Sequence, residues 1–256
     1  MDRWSRWLFY GNLVALAVLL LRFVLNDLYK TYRSLFAYFA AVLCGGSFLT
    51  QVPYGTNAYM HAYVAVEVLY HALAVFVVLE LYRIALTGHE GLAKFARVGF
   101  LAATGLAIVV ALAIALLDRN LPAGQSANVH QFLILQRSWD LVVVVFLVLI
   151  GLFITWFPVE MSQNTAFGIA GFTVVFFVRA GILLAANIVS LKKLPVINNS
   201  ALILETVMTL AWTAAVRPEK VSGQVKPGHF WDPGAMDRLS QQLDSINAAL
   251  GRFVRH

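Results

Sequence analysis

Glu67 and His71 stand four residues apart in AVEVLYHALAVFVVLELYR, residues 65–83, a run otherwise suited to lipid. On a helix this spacing sets a carboxylate and an imidazole on one face, as proton relays and metal sites both require. Further ionisable groups interrupt other apolar runs: Arg137 and Asp140 in LILQRSWDLVVVVF, Arg179 after a Phe-rich stretch, and Glu205 in ALILETVMTLAWTAAV. Their chemistry is ion pairing, proton exchange or recognition of a small polar ligand. Metal or haem chemistry is disfavoured, because His71 is the only histidine deep in such a run and two ligands do not make a site. The single cysteine, Cys44, excludes an intrachain disulfide and a Cys-rich metal or iron–sulfur site, and no CxxCH is present for covalent haem. There is no GxSxG, HExxH or P-loop, and the last apolar run lacks the lysine that retinal would need. The reading is therefore of a protein that is not an enzyme, with no catalytic residue, cofactor or metal assigned.

The elements that must position these groups are membrane helices. Of 256 residues, 60% are hydrophobic and 12% charged, with mean hydropathy +0.75. Soluble domains are about half apolar and about a quarter charged. Seven apolar segments are predicted, at about 8–25, 35–51, 59–82, 95–117, 132–157, 165–190 and 200–216. The runs are continuous rather than alternating with period two, so the fold class is all-α, a seven-transmembrane-helix bundle and not a barrel. Segment two is short and carries Gly45-Gly46; if the pair makes it kinked or re-entrant, the count is six. The opening MDRWSRWLFYGNLVALAVLLL resembles a secretory signal, but no small-x-small site follows, so it reads as an anchor.

Lysine and arginine placement orients the bundle. With the N-terminus outside, the cytoplasmic side receives Arg22, Lys30, Arg33, Arg83, Lys94, Arg97 and six more from Arg217 to Arg255. The outer side receives Arg3, Arg6, Arg119, Lys192 and Lys193, although the first two pull against this orientation. The +6 charge sits in loops and helix ends, which points to anionic headgroups and not to nucleic acid. In this topology Glu67 and Asp140 each lie about 8 residues in, roughly 12 Å at 1.5 Å per residue, with Arg179 about 16 Å down and Glu205 nearby. An isolated charge at the bilayer centre costs at least about 2.5–3.5 kcal/mol. Glu67, Asp140 and Glu205 are therefore expected to meet Arg137, Arg179 and His71 in one outer-half network, with Asn187, Gln136, Tyr63 and Tyr70 supplying further hydrogen bonds. Glu80, on another face of the same helix, is expected to pair with Arg83 or Arg33 at the inner interface.

Segment four, GFLAATGLAIVVALAIALL, carries Gly99, Ala103, Ala107, Ala111 and Ala115 at every fourth position. Such a small-residue ribbon is a helix-packing face, expected to lie against neighbouring helices of the chain, with a dimer seam as the alternative. Gly181 and Ala185 repeat the theme, so Arg179 is expected on a tightly packed helix. The chain thus divides into a transmembrane domain at 1–217, a polar linker at 218–233 and a cytoplasmic amphipathic helix at 234–256, where Met236, Leu239, Leu243, Ile246, Leu250 and Phe253 recur at helical spacing. That helix and the inner loops offer a surface to a protein partner.

The stretches AYVAVEVLYHALAVFVVLELYR and LILQRSWDLVVVVF, with the closing VRPE, resemble a group of seven-helix integral membrane proteins frequent in acidobacteria, over about residues 5–220. The resemblance implies a bacterial inner membrane and seven helices, and it supplies no activity or functional residue. Two functions stay open. One is a sensor or interaction subunit whose outer-half network answers a polar ligand or a proton. The other is a transporter or channel, which needs polar residues continuing inward, where the sequence offers only Glu80 and Thr104. Against both stands a structural subunit in which ion pairs fix helix register.

Overall fold

The computed structural model of the chain describes residues 3–53, 56–87, 89–117, 127–156, 161–188, 194–218, 223–225 and 233–253. These residues form eight α-helices: α1 Arg3–Leu25, α2 Arg33–Leu49, α3 Asn57–Ala85, α4 Glu90–Leu117, α5 Ala127–Trp156, α6 Gln163–Ile188, α7 Leu194–Ala215 and α8 Pro233–Phe253. A two-residue pairing joins β1, Met161–Ser162, to β2, Gln224–Val225, in antiparallel register. Most of the linker expected at 218–233 lies outside the described residues.

Five helices, α1, α3, α4, α5 and α6, are long and apolar enough to cross a membrane. At 17 residues α2 is shorter. Helix α7 is diluted by hydroxyls that turn back on its own backbone: Thr206 donates to the Leu202 carbonyl at 2.7 Å, Thr209 to Glu205 at 2.8 Å and Thr213 to Thr209 at 2.7 Å. The surface is apolar, with Val14, Leu21, Val109, Leu152, Phe177 and Val196 each more than half exposed, while Glu67, His71 and Asp140 are buried. That inversion of the soluble pattern is what a hydrocarbon solvent imposes, since apolar side chains gain nothing by hiding from lipid whereas charge does.

Helix α3 is the hub, touching α2, α4, α5 and α6; α7 then packs on α6 and α1, and α1 on α2, which closes the bundle. The Gly45-Gly46 pair does not break α2. Instead each glycine admits a neighbour: a Cβ on Gly45 would lie 2.5 Å from the Tyr70 hydroxyl and 2.8 Å from Val66 Cγ1 of α3, and one on Gly46 3.0 Å from Leu13 of α1. Small residues here replace a kink with a close three-helix approach. On α6 the expectation of tight packing at Gly181 fails, because a Cβ there would meet nothing within 4 Å. The position opens on an apolar groove of about 330 Å³ between α6 and α7, lined by Val178, Ala201 and Leu204 among others. Gly45→Ala is accordingly expected to destabilise the bundle by about 1–3 kcal/mol through overpacking. Gly181→Ala should be neutral or stabilising by up to about 1 kcal/mol through helix propensity. Thermal unfolding of the two variants in the same detergent measures the contrast, and equal midpoints would refute it.

Of the α4 ribbon, Gly99 meets nothing within 4 Å, Ala103 and Ala107 are half-buried, and the side chains of Ala111 and Ala115 lie outside the described residues. Helix α4 packs inward through a different face, that of Phe100 and Thr104, with Phe100 edge-on to Phe146 of α5. At its N-terminus the side-chain oxygen of Asn247 in α8 accepts from the amides of Gly91 and Leu92 at 2.8 and 3.2 Å, while Leu243 of α8 is buried.

Candidate functional site

The strongest cluster of ionisable groups sits in the half of the bundle where α3 and α5 begin and α6 ends. Glu67 and His71 come from α3, Gln136 and Asp140 from α5 and Arg179 from α6. Each pair within a helix is separated by four residues, so one face of α3 and one of α5 converge, and the longer Arg179 side chain reaches them from α6. Arg179 Nη2 donates to Glu67 Oε2 at 2.7 Å, and Gln136 Nε2 donates to the same oxygen at 3.2 Å. His71 Nε2 lies 2.9 Å from Asp140 Oδ1, and His71 Nδ1 lies 2.6 Å from the Glu67 backbone carbonyl. Arg179 Nε is 3.9 Å from Asp140 Oδ2, which is electrostatic range but too long for a hydrogen bond.

Burial decides how strongly these contacts act. Asp140 is fully buried, Glu67 and His71 are 8% and 7% exposed, and the Arg179 side chain is 18% exposed. Charges withdrawn from water this far are tolerable only when paired and hydrogen-bonded, and the pairing here is incomplete. Asp140 Oδ2, Gln136 Oε1 and Trp139 Nε1 are buried without a hydrogen-bond partner among the described residues. Two of the three are acceptors. Asp140 Oδ2 and Gln136 Oε1 can each accept a further hydrogen.

Several expected members take other places. The Tyr70 hydroxyl does not join the network; it donates to the Val42 carbonyl at 3.2 Å and ties α3 to α2, because its ring turns toward the space left by Gly45. Tyr63 lies at the margin, close to Gln136 and edge-on to Phe132. Glu205 on α7 is half-buried and feels Arg179 electrostatically, but makes no ion pair within 4 Å among the described residues. The side chains of Arg137 and Asn187 lie outside the described residues. Two neighbours escaped the sequence reading: Trp139 packs edge-on to the His71 ring at 6.0 Å, and the Phe176 ring lies 5.9 Å from the Arg179 guanidinium. The second was legible as an aromatic one turn before Arg179; the first was masked by ordinary helix composition.

Glu80 proves to be a separate device. Its carboxylate accepts from the Ser34 amide at 3.1 and 3.0 Å and from the Leu35 amide at 3.1 Å, so it caps the N-terminus of α2 instead of pairing with Arg33 or Arg83. The orphan amides and positive end of that helix dipole favour an anion there. Nearby, Tyr32, Ser162 and Thr165 close a triangle of hydroxyls with sides of 2.9 Å, joining the start of α2 to the start of α6. The chain matches no family model, no curated protein and no solved structure.

Proposed function

We propose that the chain is a multi-pass sensor or interaction subunit of a bacterial inner membrane, with seven crossings, the N-terminus outside and the C-terminus in the cytoplasm. The cluster of Glu67, His71, Asp140 and Arg179 is its receptive site. Helix α3 carries the response to the inner end, where Glu80 holds α2 and the amphipathic α8 holds α4. The observation that carries the reading is that an apolar layer separates this cluster from the polar groups at the other end of the bundle. Beyond His71 the interior is filled by Val77, Val78 and Leu81 of α3, Val143 and Leu147 of α5 and Phe172 of α6, each at most 1% exposed. A transported solute needs a lined path, and Glu80 is committed to backbone amides. A buried polar cluster on one side of an apolar layer suits reception, where altered charge shifts the packing of neighbouring helices.

The test uses the full chain in lipid nanodiscs. Amide exchange is followed at Ser34, Leu35, Gly91 and Leu92 while pH on the outer side is varied and small polar solutes are added. Asp140→Asn should abolish the change in exchange, at least tenfold in the unmutated chain, while leaving membrane abundance within about a factor of two. Equal loss of abundance and response would mean that the cluster only fixes register. Solute equilibration across proteoliposomes that this variant blocks would favour a transporter.

A further inference from the structure

We propose that the ligand of this site is a proton, held between His71 and Asp140. The inference rests on the receptive-site reading and names what the site receives. A backbone carbonyl can only accept, so His71 Nδ1, 2.6 Å from the Glu67 oxygen, must carry hydrogen. An ionised carboxylate also only accepts, and Nε2 faces Asp140 Oδ1 at 2.9 Å. A neutral imidazole has one N–H, already used at Nδ1. One more proton is therefore required in the contact, either on Nε2, giving imidazolium against carboxylate, or on Oδ1, giving a carboxylic acid that donates to Nε2. Both forms hold the same number of protons, so the pair binds or releases one as a unit. When it leaves, two lone pairs face each other inside the bundle, and a bond that ties α3 to α5 is lost.

Every packed element contributes to the setting of this proton. Glu67 Oε2 on α3 is 3.7 Å from His71 Nδ1; Gln136 and Trp139 come from α5; Arg179 comes from α6 at 3.9 Å from Asp140; Glu205 on α7 and Tyr38 on α2 act at longer range. Among the described residues, the carboxyl groups of Glu67 and Asp140 share a single guanidinium, and one further proton balances the charge of these three groups. The unpartnered acceptors Asp140 Oδ2 and Gln136 Oε1 leave room for further hydrogen beside the pair. Arg179 and Gln136 are already committed to Glu67, which leaves His71 and Asp140 as the pair able to exchange a proton without dismantling the rest.

The experiment uses full-length chain in nanodiscs with nitrogen-15 histidine, His61, His89, His130, His229 and His256 being replaced by Gln so that one imidazole remains. Nitrogen NMR reports its protonation, and infrared difference spectra report protonated carboxyl groups. The expected result is one proton lost per chain as pH rises, seen either as imidazolium becoming neutral or as a carboxyl band that vanishes in Asp140→Asn. In that variant the introduced amide can donate to Nε2, so the imidazole should stay neutral with hydrogen on Nδ1 and release nothing. A neutral imidazole beside an ionised Asp140 from mildly acidic to mildly alkaline pH would overturn the proposal, and this result needs no variant at position 140. Proton release without any change in exchange at Ser34 or Gly91 would uphold the proton site and end the sensor reading. A pH response at those amides that persists in His71→Gln would end the proton assignment and leave the sensor reading in place.

Discussion

Arg179→Gln is expected to lower the stability of the bundle by about 3–5 kcal/mol, the range for breaking a buried ion pair from one side. The guanidinium donates to Glu67 Oε2 at 2.7 Å and faces Asp140 at 3.9 Å, so its loss leaves Glu67 with the Gln136 amide alone at that oxygen. Most of the penalty comes from the stranded carboxylate and not from the lost bond, and this gives the prediction its internal control. Adding Glu67→Gln to Arg179→Gln removes the stranded charge, while Asp140 keeps His71 as its partner. The double variant should therefore recover more than half of the loss. A double-mutant cycle read by unfolding in bicelles measures the coupling. A single variant within about 1 kcal/mol of the parent, or a double variant no better than the single one, would show that the contact does not bear on stability.

Glu80→Ala carries the second large effect, about 1.5–3 kcal/mol, the value of hydrogen bonds to a charged acceptor. Removing the carboxylate uncovers the Ser34 and Leu35 amides at the start of α2, where Leu35 is buried. Glu80→Gln keeps one acceptor oxygen and loses the charge that the helix end favours, so its cost should be intermediate. Arg83→Ala, at an exposed position, should stay within about 0.5 kcal/mol. Amide exchange separates the cap from an ion pair: faster exchange confined to the first turn of α2 supports the cap, and an equal effect of Arg83→Ala would refute it.

The two effects lie on opposite sides of one apolar layer, and that division explains which parts of the protein could be read in advance. The all-helical class, the apolar helices and the grouping of Glu67, His71, Asp140 and Arg179 are legible in composition and spacing, because charge in hydrocarbon has few tolerable arrangements and helical spacing fixes which groups share a face. A rise of 1.5 Å per residue sets Glu67 and Asp140 at one depth, and the geometry brings both onto Arg179. Which partner each group takes depends on how the helices pack. Tyr70 follows the gap at Gly45 to a carbonyl on α2, and Glu80 finds a helix end, because side-chain bonds within a few ångströms depend on how helices rotate and approach. The glycines divide for the same reason: Gly45 and Gly46 admit neighbouring helices, whereas Gly99 and Gly181 face open space. A small residue permits close packing without requiring it, and the choice belongs to the helices on the other side.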